Sequence, residues 1–157
     1  ASTGEDRFRR GLYTFFRRTA IDPNLSTFDC PDSSLTRAQR DRSNNPLQAL
    51  ATMHNEVFHE AAQAFAVRLL HSVSSDSDED RITKAVQITT GRAPNHVEMA
   101  TIQKLLTSSR EHFSRDMEAA TALIGPHAAK DITVAENAAW VAVTRVVLNL
   151  DEFLTRG

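Results

Sequence analysis

Seven polar residues, Asp29, Arg40, Arg42, Asn44, Gln48, Asn149 and Asp151, have side chains and placements that could do chemistry. Arg40 and Arg42 precede the head of an apolar helical pattern. Asp29 lies in the same polar stretch, and Asp151 stands on an otherwise apolar segment near the end. A carboxylate set among guanidinium groups can grip an anionic or sugar ligand through paired, charge-assisted hydrogen bonds. The same groups can instead pair with one another, while Asn44 and Gln48 satisfy loop backbone. The structural network is the preferred reading, with a binding or catalytic site as the alternative.

The histidines offer less. His54 and His59, with Glu56 and Glu60, resemble a ligand set, but a spacing of five residues puts them about 140° apart around one helix. They do not form the HExxH arrangement, so no metal site is expected there. His71, His96, His112 and His127 fall beside linkers or on polar faces and read as solvated. Cys30 stands alone, which excludes an internal disulfide, a CxxC pair and a CxxCH haem attachment. No nucleophile elbow and no glycine-rich phosphate loop is present.

Composition sets the frame that must position these residues. With 157 residues, 41% hydrophobic and 24% charged, the chain is expected to be one globular helical domain over 1–157. A net charge of −2 gives no support to a nucleic-acid footprint, which normally needs a basic face. The arginines near the start (Arg7, Arg9, Arg10, Arg17, Arg18) read as partners in local salt bridges. The longest apolar run, Ala138 to Val143, is far too short to span a bilayer.

Helical spacing of Phe8, Leu12, Phe15 and Phe16 predicts a helix over Arg7–Thr19, stopped by Asp22-Pro23-Asn24. A long loop follows from Ile21 to about Asn44, anchored at Thr27-Phe28-Asp29. Asn45 as N-cap and Pro46 as first residue open a second helix. Its core stripe is Leu47, Leu50, Val57, Phe58, Ala61, Phe65 and Leu69, with a kink or break where Asn55 recaps it. Asp78, Glu79 and Asp80 load the first turn of a third helix, whose inner face is Ile82, Ala85, Val86 and Thr89 and whose end is Gly91. Asn95 with Glu98 opens a fourth helix through Met99, Ile102, Leu106 and Phe113, continuing or restarting at Asp116 and ending at Gly125-Pro126. Thr133 to Glu136 reads as a capping box heading a last helix that runs through Trp140, Val143, Val147, Leu150 and Leu154. The expected fold is all-α: a single compact bundle of five or six helices with one long loop on its N-terminal side, the linkers 72–77 and 125–132 joining antiparallel neighbours.

Five ordered stretches carry a family resemblance: Arg10-Gly-Leu-Tyr-Thr-Phe-Phe-Arg-Arg-Thr19, Thr27-Phe28-Asp29, Arg40-x-Arg42-Ser-Asn-x-Pro-Leu-Gln-Ala-Leu50, Thr90-Gly-Arg-x-Pro94, and Ala139-Trp140 with Leu148-Asn-Leu-Asp-Glu-Phe-Leu154. The chain resembles the C-terminal half of the planctomycete PSD-one domain, a domain of unknown function found with planctomycete cytochrome C domains in large exported proteins. That resemblance implies a periplasmic or cell-envelope setting and no cofactor in this chain, with haem c in other domains of the parent. It implies the N-terminal half of the same parent domain as partner, with cytochrome c and carbohydrate-binding modules as further candidates. No nucleic acid and no direct membrane span are expected. The leading functional expectation is a non-catalytic helical module. The alternative is a polysaccharide-acting hydrolase or redox-linked enzyme whose site is shared with the N-terminal half.

Overall fold

A computed structural model describes residues 13, 15, 21–31, 36, 38–39, 43–72 and 77–155. Among these residues the fold is all-α, with no strand and eight helices: α1 Pro23–Thr27, α2 Pro46–His54, α3 Glu56–Ser72, α4 Asp78–Thr90, α5 His96–Arg115, α6 Met117–Ile124, α7 Val134–Val147 and α8 Asp151–Leu154. The chain divides into two units, 1–51 and 52–157, and the division falls within α2. Most of the predicted first helix lies outside the described residues. Two residues of it are described, Tyr13 and Phe15, and both are strongly exposed.

In the first unit, Asp22-Pro23-Asn24 starts a helix rather than stopping one. The Asp22 carboxylate accepts from the backbone N–H groups of Asn24 at 2.9 Å and Leu25 at 3.3 Å, and Pro23 takes the first helical position. The stretch expected to be loop therefore holds one short helix. It closes with a Schellman-type bond from Cys30 N–H to Leu25 C=O at 2.9 Å. The residue that turns the chain out, Asp29, has a φ of 56°.

In the second unit, α7 is the central element. Ala138, Ala139, Trp140, Val141, Val143, Thr144 and Val147 are all essentially inaccessible. Helices α3, α4, α5 and α6 pack on it. Ala62 and Ala66 on α3 and Ala120 on α6 are buried with it, and side chains this small let neighbouring backbones approach closely. The Thr144 hydroxyl reaches the Ala62 carbonyl of α3 at 2.9 Å, a hydrogen bond that itself requires a short interhelical distance.

The expected inner faces of α4 and α5 are observed: Ile82, Ala85, Val86, Thr89, Ile102 and Leu106 are buried, and Met99 and Phe113 pack against them. Gly91 ends α4 at a φ of 81°. Asn95 and Glu98 form the full capping box of α5. The predicted second helix breaks at Asn55, which caps α3 by accepting from Val57 N–H at 2.9 Å.

That break overturns the stripe expected across it. Leu47, Leu50 and Val57 are 68%, 53% and 41% exposed, and Ala61 is exposed as well. The far end of the stripe holds, with Leu69 buried and Phe65 packed against the core, while the other buried positions are Gln48, Thr52, Ala62, Gln63, Ala66 and Leu70. One helical phase cannot be carried through a residue that leaves the helix, so the expected phase survives only toward the end of α3, at Phe65 and Leu69. The last helix also stops earlier than its apolar spacing predicts. It ends at Val147, and Asp151–Leu154 forms a separate turn.

Candidate functional site

In the first unit the structure joins Asp29 and Gln48 through Ser43. The Asp29 carboxylate accepts from the Ser43 backbone N–H at 2.7 Å and from its hydroxyl at 2.8 and 2.9 Å. The Gln48 amide nitrogen donates to Ser43 Oγ at 3.0 Å and to the Thr27 carbonyl at 3.0 Å, and lies 3.4 Å from Asp29 Oδ2. Asn45 and Gln48 form a reciprocal capping box at the head of α2. Gln48 N–H donates to Asn45 Oδ1 at 3.1 Å, and Asn45 N–H donates to Gln48 Oε1 at 3.3 Å.

This geometry decides what Ser43 can do. A hydroxyl has one proton and two lone pairs. Its proton goes to Asp29, and its oxygen accepts from Gln48 and from Asn45 Nδ2 at 3.2 Å. The hydroxyl is saturated, which suits an anchor and not a nucleophile. Arg40 and Arg42 lie outside the described residues. Asn44 is exposed beside this network.

Asn149 and Asp151 belong to the second unit and have partners there. Asn149 Oδ1 accepts from the buried Thr52 hydroxyl at 2.5 Å. Asp151 starts α8, and its carboxylate accepts from the Thr155 hydroxyl at 3.1 Å. Arg145 donates to the Met53 carbonyl at 2.6 Å, a cation set on the C-terminal end of α2 where the helix dipole favours it.

Two further clusters follow one rule that residue spacing alone did not show: an arginine ties together the first turns of two helices. Arg110 grips Asp78 of α4 at 2.5 and 2.7 Å and Glu136 of α7 at 2.6 and 2.7 Å, both through paired bonds. Arg92 grips Glu98 of α5 at 2.7 and 2.8 Å and Glu152 of α8 at 2.7 and 2.9 Å. Both guanidinium forks are filled by carboxylates, leaving no face for an anionic ligand. Hydrogen bonds from Arg110 hold the Asp78 carboxyl below its ordinary range. Those from Arg92, with the Asn95 backbone N–H, push Glu98 down to about 2.

The Arg110 pairing also corrects the capping box expected at Thr133. Thr133 Oγ1 accepts from Glu136 N–H at 3.3 Å, but the Glu136 carboxylate turns away to Arg110 and to Trp140 Nε1–H at 2.8 Å. Half the box forms, because a guanidinium outcompetes a backbone N–H for the carboxylate.

The break of the predicted second helix at Asn55 puts His54 and His59 on different helices, so their spacing around a single helix no longer applies. His59 Nε2 lies 2.9 Å from Gln63 Nε2, and that amide also donates to the Leu123 carbonyl at 2.8 Å. Burial, and then the Arg145 charge, lowers the His59 pKa below its ordinary value. His71, His96, His112 and His127 are exposed, and His127 sits 3.6 Å from Glu60. Among the described residues no group of three or more His, Cys, Asp or Glu side chains converges to hold a metal ion.

No described helix is long and apolar enough to cross a membrane. No curated protein and no solved structure matches the chain. Residues 1–106 match the family PSD1, Protein of unknown function (DUF1553), a stretch that holds the Asp29–Ser43–Gln48 network, Arg92 and most of α5. With 106 of its 157 residues matched, this chain belongs to the PSD1 (DUF1553) family.

Proposed function

We propose that this chain is a non-catalytic helical module that docks onto the N-terminal half of its parent domain, within a large exported protein that also holds cytochrome c and carbohydrate-binding modules. The export and cytochrome setting rests on the ordered motifs from Arg10 to Leu154. The docking rests on the first-unit part of α2, which buries Gln48 and leaves Leu47 and Leu50 at 68% and 53% exposure. Leucines on the outside of a helix whose polar residues are buried favour a partner surface over a solvated one. The saturated Ser43 hydroxyl and the carboxylate-filled arginines weigh against a hydrolytic site in the described residues.

The test is association of this chain with the separately produced N-terminal half of the parent domain, followed by calorimetry. Binding is expected, and the pair Leu47→Ser and Leu50→Ser should weaken it by at least about tenfold while leaving the melting temperature of the chain unchanged. No association, or association indifferent to that pair, overturns the reading.

A further inference from the structure

A device of another kind lies at the junction between α3 and the end of α6. Gln63 is 4% exposed, and its amide nitrogen sits between two acceptor positions, Leu123 O at 2.8 Å and His59 Nε2 at 2.9 Å. A carbonyl can only accept, so the amide must present N–H to Leu123. The second N–H of the same nitrogen then faces His59, whose Nε2 has to be the accepting atom. The imidazole is therefore neutral, with its proton on Nδ1.

Gly125 lies against the same amide. A Cβ at Gly125 would stand 2.9 Å from Gln63 Nε2, so the chain leaving α6 passes directly over the pinned group. Two residues on, His127 approaches Glu60 of α3 at 3.6 Å, an attraction that exists only when the ring is charged. One turn of α3 thus meets the α6–α7 connection at two points, Gln63 against Leu123 and Glu60 against His127.

We propose that this junction is a proton-operated latch, in which neutral His59 keeps Gln63 on the Leu123 carbonyl and protonation of His59 releases it. A proton on Nε2 sets two N–H groups facing each other across 2.9 Å. Rotating the Gln63 amide by half a turn relieves that conflict only by turning its oxygen onto the Leu123 carbonyl. The charged ring also becomes a donor competing for that carbonyl. Arg145 of α7 is the charged group acting on His59, and it disfavours the imidazolium. The α6 end contributes the Leu123 carbonyl, and on its own helix Glu60 is engaged with His127. The release consequently belongs to pH values below the ordinary imidazole range.

The experiment is NMR on the complete chain between pH about 7.5 and about 5, reading the His59 ring nitrogens, the Gln63 side-chain amide and hydrogen-exchange protection at Gly125 N–H, which bonds Thr121 O. The expected result is a Gln63 amide shift that titrates with His59, and a fall of about tenfold in Gly125 protection after correction for intrinsic exchange. His59→Gln supplies a non-titrating acceptor and should abolish both changes, whereas His127→Gln should keep them. A Gln63 amide that does not move as His59 titrates overturns the latch, and that reading needs only the unaltered chain. Equal pH dependence in His59→Gln overturns it as well. Neither result bears on whether the leucines of α2 dock a partner.

Discussion

The Asp29 carboxylate accepts from the Ser43 backbone N–H at 2.7 Å while Asp29 itself holds a φ of 56°, so one residue both turns the chain out of α1 and receives it again at the head of α2. Left-handed backbone costs an ordinary L residue about 1–2 kcal/mol, less for Asp and Asn. Hydrogen bonds to a charged acceptor, contributing about 1.5–3 kcal/mol, more than offset that cost. The side chain and the backbone strain are thus separable by substitution. Asp29→Asn should cost least, Asp29→Gly more, and Asp29→Ala most, over a span of about 1–3 kcal/mol. Urea unfolding of the three variants measures the order. A glycine variant as stable as the parent would show that relief of φ outweighs the carboxylate.

Gly125 and Gly91 make a second comparison, because both have positive φ and their surroundings differ. A methyl carbon placed on Gly91 would have nothing within 4 Å, whereas at Gly125 such a carbon meets Gln63 at 2.9 Å. Gly91→Ala should therefore lose only the backbone term, about 1 kcal/mol. Gly125→Ala adds a clash with a pinned, buried amide and should lose about 2 kcal/mol or more. Thermal melts of the two variants check the ranking.

Much of the second unit is legible in the sequence, because caps and short-range spacing are local. Asn95 and Thr133, read as caps, each accept from a backbone N–H in the first turn of the helix they head; Ser77, read as linker, and Asp116, read as a continuation or restart, do the same. Gly91 and the inner face of α4 follow from spacing within one uninterrupted helix. The stripe expected from Leu47 to Leu69 holds at Phe65 and Leu69 but fails from Leu47 to Val57, because helical phase is lost at Asn55 and no hydrophobicity count records how the two segments are rotated. The arginine clamps escape for another reason. Arg110 meets Asp78 and Glu136 across 32 and 26 residues, and charge patterning reads only neighbours three or four apart. Acidic residues in the first turns were visible; which cation would bridge them was not. Of the polar set read from the sequence, Asp29 and Gln48 meet through Ser43, a residue whose type alone gave no signal.

Acid titration separates the Arg92 clamp from the latch at His59. The Glu98 carboxyl sits at about 2 in the folded chain against an ordinary 4.5, held there by hydrogen bonds from Arg92 and then the Asn95 backbone. A depressed carboxyl contributes stability that is complete above its unfolded value and is lost as pH falls toward the folded one. The window is accordingly from about 4.5 down to about 2, below the histidine range. Exposure of 26% for Glu98 and 39% for Arg92 admits solvent screening, so the loss should stay under about 1 kcal/mol. Glu98→Gln should flatten the acid limb of a melting-temperature profile over that window. An unchanged limb would assign it to other carboxylates, Asp78 foremost.

The Arg110 clamp can be read through the one tryptophan of the chain. Trp140 is fully buried on α7, and its Nε1–H donates to the same Glu136 Oε1 that Arg110 holds at 2.6 Å. Arg110→Lys replaces a fork with a point charge that cannot pair both Asp78 and Glu136 in parallel. Arg110→Met leaves two carboxylates, on different helices, facing each other without a cation. Side-chain exposures of 33% for Arg110, 35% for Asp78 and 23% for Glu136 soften the penalty. The expected losses are about 1 kcal/mol for the lysine and about 2–3 kcal/mol for the methionine variant. If the clamp also sets the Glu136 rotamer, the methionine variant should shift the folded-state emission of Trp140, because its indole donor faces a carboxylate freed to turn back toward the Thr133 backbone. Adding Glu136→Gln to Arg110→Met should then cost less than the two single losses summed, since the second change removes a charge the first has stranded. Strict additivity in that cycle, with unchanged Trp140 emission, would mean that Arg110 steadies α4 through Asp78 and leaves the head of α7 to its own Thr133 cap.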